Sequence, residues 1–179
     1  SLHLDALASH VRAGKFDLGL AFDGDADRCL AVDGEGRAVD GDHILYLTAR
    51  LLRRQGRLPG DVVVATVMSN LWLEHRLAAD GIRLLRAPVG DKYVHERMMA
   101  EGAVLGGEQS GHVIFREVAE AGDGILTGMF LLDAVLEEGK PLHALLADIV
   151  PYPQVLLNVR EREKPDLRQH PVIGPAVGE

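Results

Sequence analysis

Between Gly41 and Val150 the apolar residues switch repeatedly between a helical period and short β-branched runs, and this alternation limits the folds available. "GDHILYLTARLLRRQ" is amphipathic, with Asp42 as its expected N-cap, and "LPGD" breaks it. "VVVATV" is a strand of the kind buried on both faces. "SNLWLEHRLAADG" is a helix begun by Ser69 or Asn70 and stopped by Gly81, and "IRLLRA" is a strand. "GDKYVHERMMAEG" is a helix with Asp91 as cap and Gly102 as stop. "AVLGGEQSGHVIF" holds two short strands around a polar, Gly-rich turn. "DGILTGMFLLDAVLEEG" is a long helix most simply capped by Asp123, and "PLHALLADI" is a short one with Pro141 at its first position. This order predicts an α/β fold: a mixed, largely parallel sheet with helices packed on it.

Residues 1–40 read as the end of a preceding α/β unit. Leu4, Leu7 and Val11 recur at helical spacing, and Gly14 stands where a C-cap would. "FDLGLAF" and "CLAVD" are strands, with "DGDADR" between them and the turn "DGEGR" after them. The pair suits an antiparallel hairpin with the acidic loop at its tip; a βα edge is the other arrangement the pattern allows. Residues 41–150 form the α/β domain. Residues 151–179 open with the linker-like "PYPQ", begin a strand at "VLLNV" and turn polar and Pro-rich, as a tail or the opening of a further domain. The chain does not begin with Met, and a fragment of a longer protein is the expectation.

The formal net charge of −8 gives no broad basic surface, so nucleic acid is not expected as a partner. No apolar run reaches the ~20 residues of a membrane span. The single cysteine, Cys29, lies in an apolar run, which suits a buried thiol and a reducing, cytoplasmic location. The Ser9–His10 pair lies in a helical pattern, where adjacent side chains diverge, and is not a catalytic dyad.

Two short stretches carry chemistry. In "FDGDADR", Asp23, Asp25 and Asp27 alternate and Arg28 follows. Three close carboxylates repel one another unless a cation joins them, and oxygen-only ligands suit Mg²⁺ or Ca²⁺. The EF-hand pattern fails, since Arg28 and Gly34 stand where that loop needs Gly and Glu, and a strand precedes it. Three protein oxygens leave an octahedral Mg²⁺ positions for water or a phosphate oxygen, and Arg28 can hold a phosphate or a carboxylate. A solvated acidic turn is the plain alternative. In "GGEQSGH", Gly107 lets the backbone approach a ligand, and Glu108, Ser110 and His112 would share one face of an extended segment. Glu and Ser suit sugar hydroxyls, and His suits acid–base work. A polar hairpin turn with a satisfied histidine is the alternative there. "VGDKY" places Lys92 at a helix start, a ready anion site or a capped end with a solvated lysine.

With "DGDADR" and "GEQSGH" in this order and separation, the chain resembles the α-D-phosphohexomutase superfamily. "TVMSN", "VGDKYV", Gln109 and "GDGILTG" make it similar to the bacterial phosphoglucosamine mutase branch, although Ala121 stands where Thr is expected. The resemblance implies a four-domain enzyme. This chain would supply the end of domain 2 (residues 1–40, with the metal loop), domain 3 (41–150, with the sugar loop) and the linker towards domain 4 (151–179). Domains 1 and 4 of the same polypeptide would be its partners, and the phosphoserine loop of domain 1 would be missing, leaving the isolated chain inactive. The implied reaction is phosphoryl transfer through a hexosamine 1,6-bisphosphate, with Mg²⁺ on Asp23, Asp25 and Asp27. Arg28 would position the phosphate. Gly107, Glu108 and Ser110 would bind the sugar, and His112 and Lys92 would act as acid–base or phosphate-contact groups. Related phosphomannomutases or phosphoglucomutases, and a non-catalytic cation- or sugar-phosphate-binding module, remain the alternatives.

Overall fold

The computed structural model describes residues 3–156. The strand expected at "VLLNV" and the polar tail after it lie outside the described residues, apart from Val155 and Leu156.

Helix α1 (Asp5–Gly14) leads into a three-stranded antiparallel sheet, β1 (Leu18–Phe22), β2 (Cys29–Asp33) and β3 (Ala38–Val39), in the order β1-β2-β3. The hairpin arrangement holds, with Phe22 opposite Cys29, so residues 23–28 form its tip. The short β3 escaped the sequence reading because a two-residue strand leaves no period to detect. Helix α1 runs through Gly14, and Lys15, not Gly14, takes the left-handed conformation at φ 54°.

The remainder alternates as read: α2 (Gly41–Arg54), β4 (Val62–Thr66), α3 (Leu71–Ala79), β5 (Arg83–Ala87), α4 (Asp91–Glu101), β6 (Leu105–Gly107), β7 (Val113–Phe115), α5 (Gly124–Glu138) and α6 (Leu142–Leu145). The second sheet has the order β5-β4-β6-β7, with β4 parallel to both neighbours and β7 antiparallel to β6. β4 shows why its β-branched run has no solvent-facing position. Val63 and Ala65 join the core under α2, α3 and α5, while Val62 and Val64 join Val94 and Met98 of α4 on the opposite face. Ala31 and Val39 of the first sheet enter the larger of these cores, so the hairpin is packed onto the α/β layer rather than hung beside it.

Helix ends explain several local differences from the sequence reading. The cap of α2 is Asp40, not Asp42. Asp40 accepts the His43 N–H, and the His43 ring returns to the Asp40 N–H, a reciprocal box that only the N3 histidine makes possible. Asp42 falls in the first turn, buried, and accepts the Asn70 N–H at 2.7 Å. Asp91 is the first residue of α4 rather than its cap, which is Gly90 at φ 127°. Pro141 caps α6 instead of occupying its first turn. Asn70 caps α3 and also pairs with Tyr152, accepting its N–H and donating to its carbonyl, which ties the end of the described chain to the start of α3.

Candidate active site

The β1–β2 tip folds back on itself through Ala26 N–H to Asp23 C=O, with Ala26 at φ 59°. This turn gathers the alternating aspartates: one carboxylate oxygen each of Asp23, Asp25 and Asp27 lie within 4.8 Å of one another. The Arg28 N–H donates to Asp23 Oδ1 at 3.2 Å, and its Nε lies 3.7 Å from Asp23 Oδ2 and 3.9 Å from Asp27 Oδ1. Burial acts to raise the Asp23 carboxyl, but the Arg28 N–H, a hydrogen bond with the Asp27 side chain and the Arg28 guanidinium together outweigh it and hold it below the ordinary carboxylate range. Asp27 Oδ1 is buried without a hydrogen bond. A buried anionic oxygen without a donor, beside two more carboxylates, is a set of hard donors that fits a hard divalent cation.

The β6–β7 turn brings the second motif to the same place. Glu108 N–H donates to His112 C=O and Gly111 N–H to Glu108 C=O, so residues 108–112 form a tight turn rather than the extended segment expected. Glu108 and Ser110 still meet, because the turn lets Ser110 Oγ donate to Glu108 Oε2 at 3.1 Å. Glu108 Oε1 accepts the Gly90 N–H at 3.0 Å, which ties in the "VGDKY" segment through its backbone. His112 is buried, and its Nδ1 lies 3.0 Å from Asp27 Oδ2. Gly107 is also buried, and a Cβ there would come within 2.6 Å of His112 O.

Close backbone contact welds the two loops together. Cys29 N–H donates to Gly111 C=O at 3.1 Å, and Gly111, at φ 95°, lies so near Cys29 O that no side chain fits. Gly124, the first residue of α5, donates its N–H to Ala26 C=O at 2.8 Å, and a Cβ there would meet Arg28 O at 2.5 Å. The "GDG" stretch, read from the sequence as a simple cap, therefore also supports the acidic loop. Asp123 does cap α5, accepting the Leu126 N–H. A cavity of about 430 Å³ opens beside the turn, lined by Glu108, Gln109 and Ser110 and by Asp40, Thr66 and Met68 from other elements. A small cleft joins Ser110 to Asp23 and Arg28.

Lys92 is not brought into this assembly. Its side chain is 74% exposed, its Nζ lies 3.8 Å from Glu96, and it does not line the cavity. Cys29 is fully buried, and burial pushes its thiol up to about 11, as an inert structural residue requires. The sequence reading missed Asp40, Gly41 and Gly124. The spacing of Gly41 and Gly124 at helix starts was visible, but what packs against them was not.

Residues 40–152 match the model of the phosphoglucomutase/phosphomannomutase alpha/beta/alpha domain III family. Over 177 residues, 99% of this chain, it is 50% identical to a phosphoglucosamine mutase of Solibacter usitatus, and equally so to one of Desulforudis audaxviator. It spans about 40% of the length of these curated relatives. A phosphoglucomutase/phosphomannomutase family protein from Burkholderia thailandensis has a solved structure that superposes with a TM-score of 0.69 at 29% identity, covering 80% of this chain and 31% of that one. The chain belongs to the phosphoglucomutase/phosphomannomutase domain III family, and its nearer relatives by sequence include phosphoglucosamine mutases.

Proposed function

We propose that this chain is the metal-loop and sugar-loop part of a longer phosphosugar mutase that interconverts glucosamine 6-phosphate and glucosamine 1-phosphate in the cytoplasm. The observation that carries this is the junction of the two loops, where His112 of one meets Asp27 of the other at 3.0 Å. The names of its relatives favour the amino-sugar substrate.

Asp23, Asp25 and Asp27 would hold a Mg²⁺ ion, which when bound neutralises charge on a transferring phosphoryl group. Arg28, pinned to Asp23 through its own N–H, presents a guanidinium beside that group and orients it. Glu108 and Ser110 hold sugar hydroxyls, their mutual hydrogen bond setting the spacing. His112 is held by Asp27 and would hold a proton at its second ring nitrogen during transfer. Lys92, on a long solvent-facing arm, would reach a substrate phosphate only by leaving Glu96. Transfer runs through a hexosamine 1,6-bisphosphate that reverses its orientation between half-reactions, with a phosphoserine from another part of the polypeptide as donor and acceptor. This chain alone then turns over nothing.

Catalytic efficiencies of the full polypeptide on glucosamine 6-phosphate, glucose 6-phosphate and mannose 6-phosphate test the reading. Preference for glucosamine supports it; preference for mannose or glucose favours the phosphomannomutase/phosphoglucomutase alternative, to which the solved relative's name points. Tight binding of Mg²⁺ or a hexose phosphate by the isolated chain in calorimetry would favour a non-catalytic binding module instead.

A further inference from the structure

The cavity beside Glu108 and Ser110 is charged with one sign only. Two carboxylates, Asp40 and Glu108, line it, its other polar lining is Thr66, Gln109 and Ser110, and no lysine or arginine among the described residues does so. Glu108 is internally satisfied, with one oxygen taken by the Gly90 N–H and the other by Ser110. Asp40 also has internal partners: its Oδ1 accepts the His43 N–H, the His43 ring lies against it, and the Gln109 side chain hydrogen-bonds the carboxylate. Burial acts to raise the Asp40 carboxyl, but His43 outweighs it and keeps the group below the ordinary range, so it stays an anion.

Its place is fixed as firmly as its charge. Gly41 N–H donates to Gln109 C=O at 3.0 Å, and a side chain at Gly41 would run into Glu108 O. The start of α2 therefore abuts the 108–111 turn, and Asp40 is held in the same wall as the groups that would grip the sugar. A phosphosugar is itself an anion, and a largely apolar cavity whose only charged lining is two carboxylates disfavours it unless the sugar brings a cation to that wall. A protonated amino substituent is such a cation; a hydroxyl is not.

We propose that Asp40 is a specificity-determining residue, accepting a charge-assisted hydrogen bond from the ammonium group of an amino-sugar phosphate and so discriminating against the hexose phosphate with a hydroxyl at that carbon. This rests on the mutase reading above. The Asp40→Asn variant isolates the charge, because Asn caps a helix as well as Asp does and α2 keeps its start. In the full polypeptide, Asp40→Asn should lose more catalytic efficiency on glucosamine 6-phosphate than on glucose 6-phosphate. The ratio between them should fall about tenfold to a hundredfold, the range expected when a charged hydrogen bond is lost. Asp40→Ser, which also caps, should give the same fall in ratio. An unchanged ratio in both variants, whether both substrates suffer alike or neither does, overturns the proposal while leaving the mutase reading standing. A wild-type polypeptide that converts neither phosphosugar overturns both.

Discussion

His112 Nδ1 lies 3.0 Å from Asp27 Oδ2, and 85 residues of chain separate the two. One is in the sugar loop and the other in the acidic loop, so a single hydrogen bond spans both motifs. His112→Ala leaves Asp27 with two unpartnered oxygens, since Oδ1 already makes no hydrogen bond. We expect the full polypeptide to lose about 10²- to 10⁴-fold in kcat, the usual worth of a positioned acid–base group. Steady-state kinetics checks this, and a loss confined to KM would assign His112 to binding alone.

The acidic loop makes an opposite prediction for stability and for metal response. Asp25→Asn removes one of three mutually repelling charges, so the metal-free protein should be no less stable than wild type. Its response to Mg²⁺ should shrink. Wild type should gain about 2.7 kcal/mol in Mg²⁺ at a hundred times its dissociation constant, and the variant clearly less at the same concentration. Thermal unfolding with and without Mg²⁺ measures both. Equal shifts in the two proteins would mean the ion is held elsewhere.

Asp42 gives a pH dependence with a definite sign. Burial pushes its carboxyl up to about 6, from an ordinary value of 3.8. The folded state therefore holds this proton more tightly than the unfolded chain. The resulting stabilisation is complete below pH 3.8 and is lost as pH rises through 6. At neutral pH the ionised Asp42 costs on the order of 1–3 kcal/mol. Asp42→Asn can still accept the Asn70 N–H and never ionises. The variant's stability relative to wild type should rise between pH 4 and pH 7, as read by urea denaturation. A difference that stays flat over that range contradicts the assignment.

How far the chain could be read without its structure depended on whether a feature was periodic. The β4 run and the amphipathic α2 announced themselves, because burial on two faces or on one stripe leaves a repeating mark. So did the hairpin around "DGDADR" and the turn at "GEQSGH". The choice of Asp40 over Asp42 as cap could not be read that way. It turned on His43 folding back to the Asp40 N–H and on Asn70, distant in sequence, claiming Asp42. The extended segment expected at Glu108, Ser110 and His112 gave way to a turn for a similar reason. Gly111, at φ 95°, helps close it, and His112 finds its partner, Asp27, in the β1–β2 tip.

Gly124 tests whether the backbone weld between the loops matters. A methyl group there would meet Arg28 O at 2.5 Å and press on the Gly124 N–H bond to Ala26 C=O. Gly124→Ala should destabilise the fold by about 1–3 kcal/mol and disturb the acidic loop. At Gly128, four residues on in the same helix, the nearest neighbour of an added methyl is a leucine methyl at 3.0 Å. Gly128→Ala should therefore cost much less, with the higher helix propensity of alanine as an offset. Chemical denaturation of the two variants decides it, and equal costs would show that the contact with the loop is not responsible.

On the reading proposed above, the two loops form part of one phosphoryl-transfer site acting on glucosamine phosphates. Phosphorus NMR of the full polypeptide, given glucosamine 6-phosphate, Mg²⁺ and a catalytic amount of the 1,6-bisphosphate, tests it most directly. The glucosamine 1-phosphate signal should grow to equilibrium, and this growth should be abolished in the protein lacking all three of the Asp23, Asp25 and Asp27 carboxylates. A folded polypeptide that produces no 1-phosphate, or that produces it undiminished without those carboxylates, would contradict that reading.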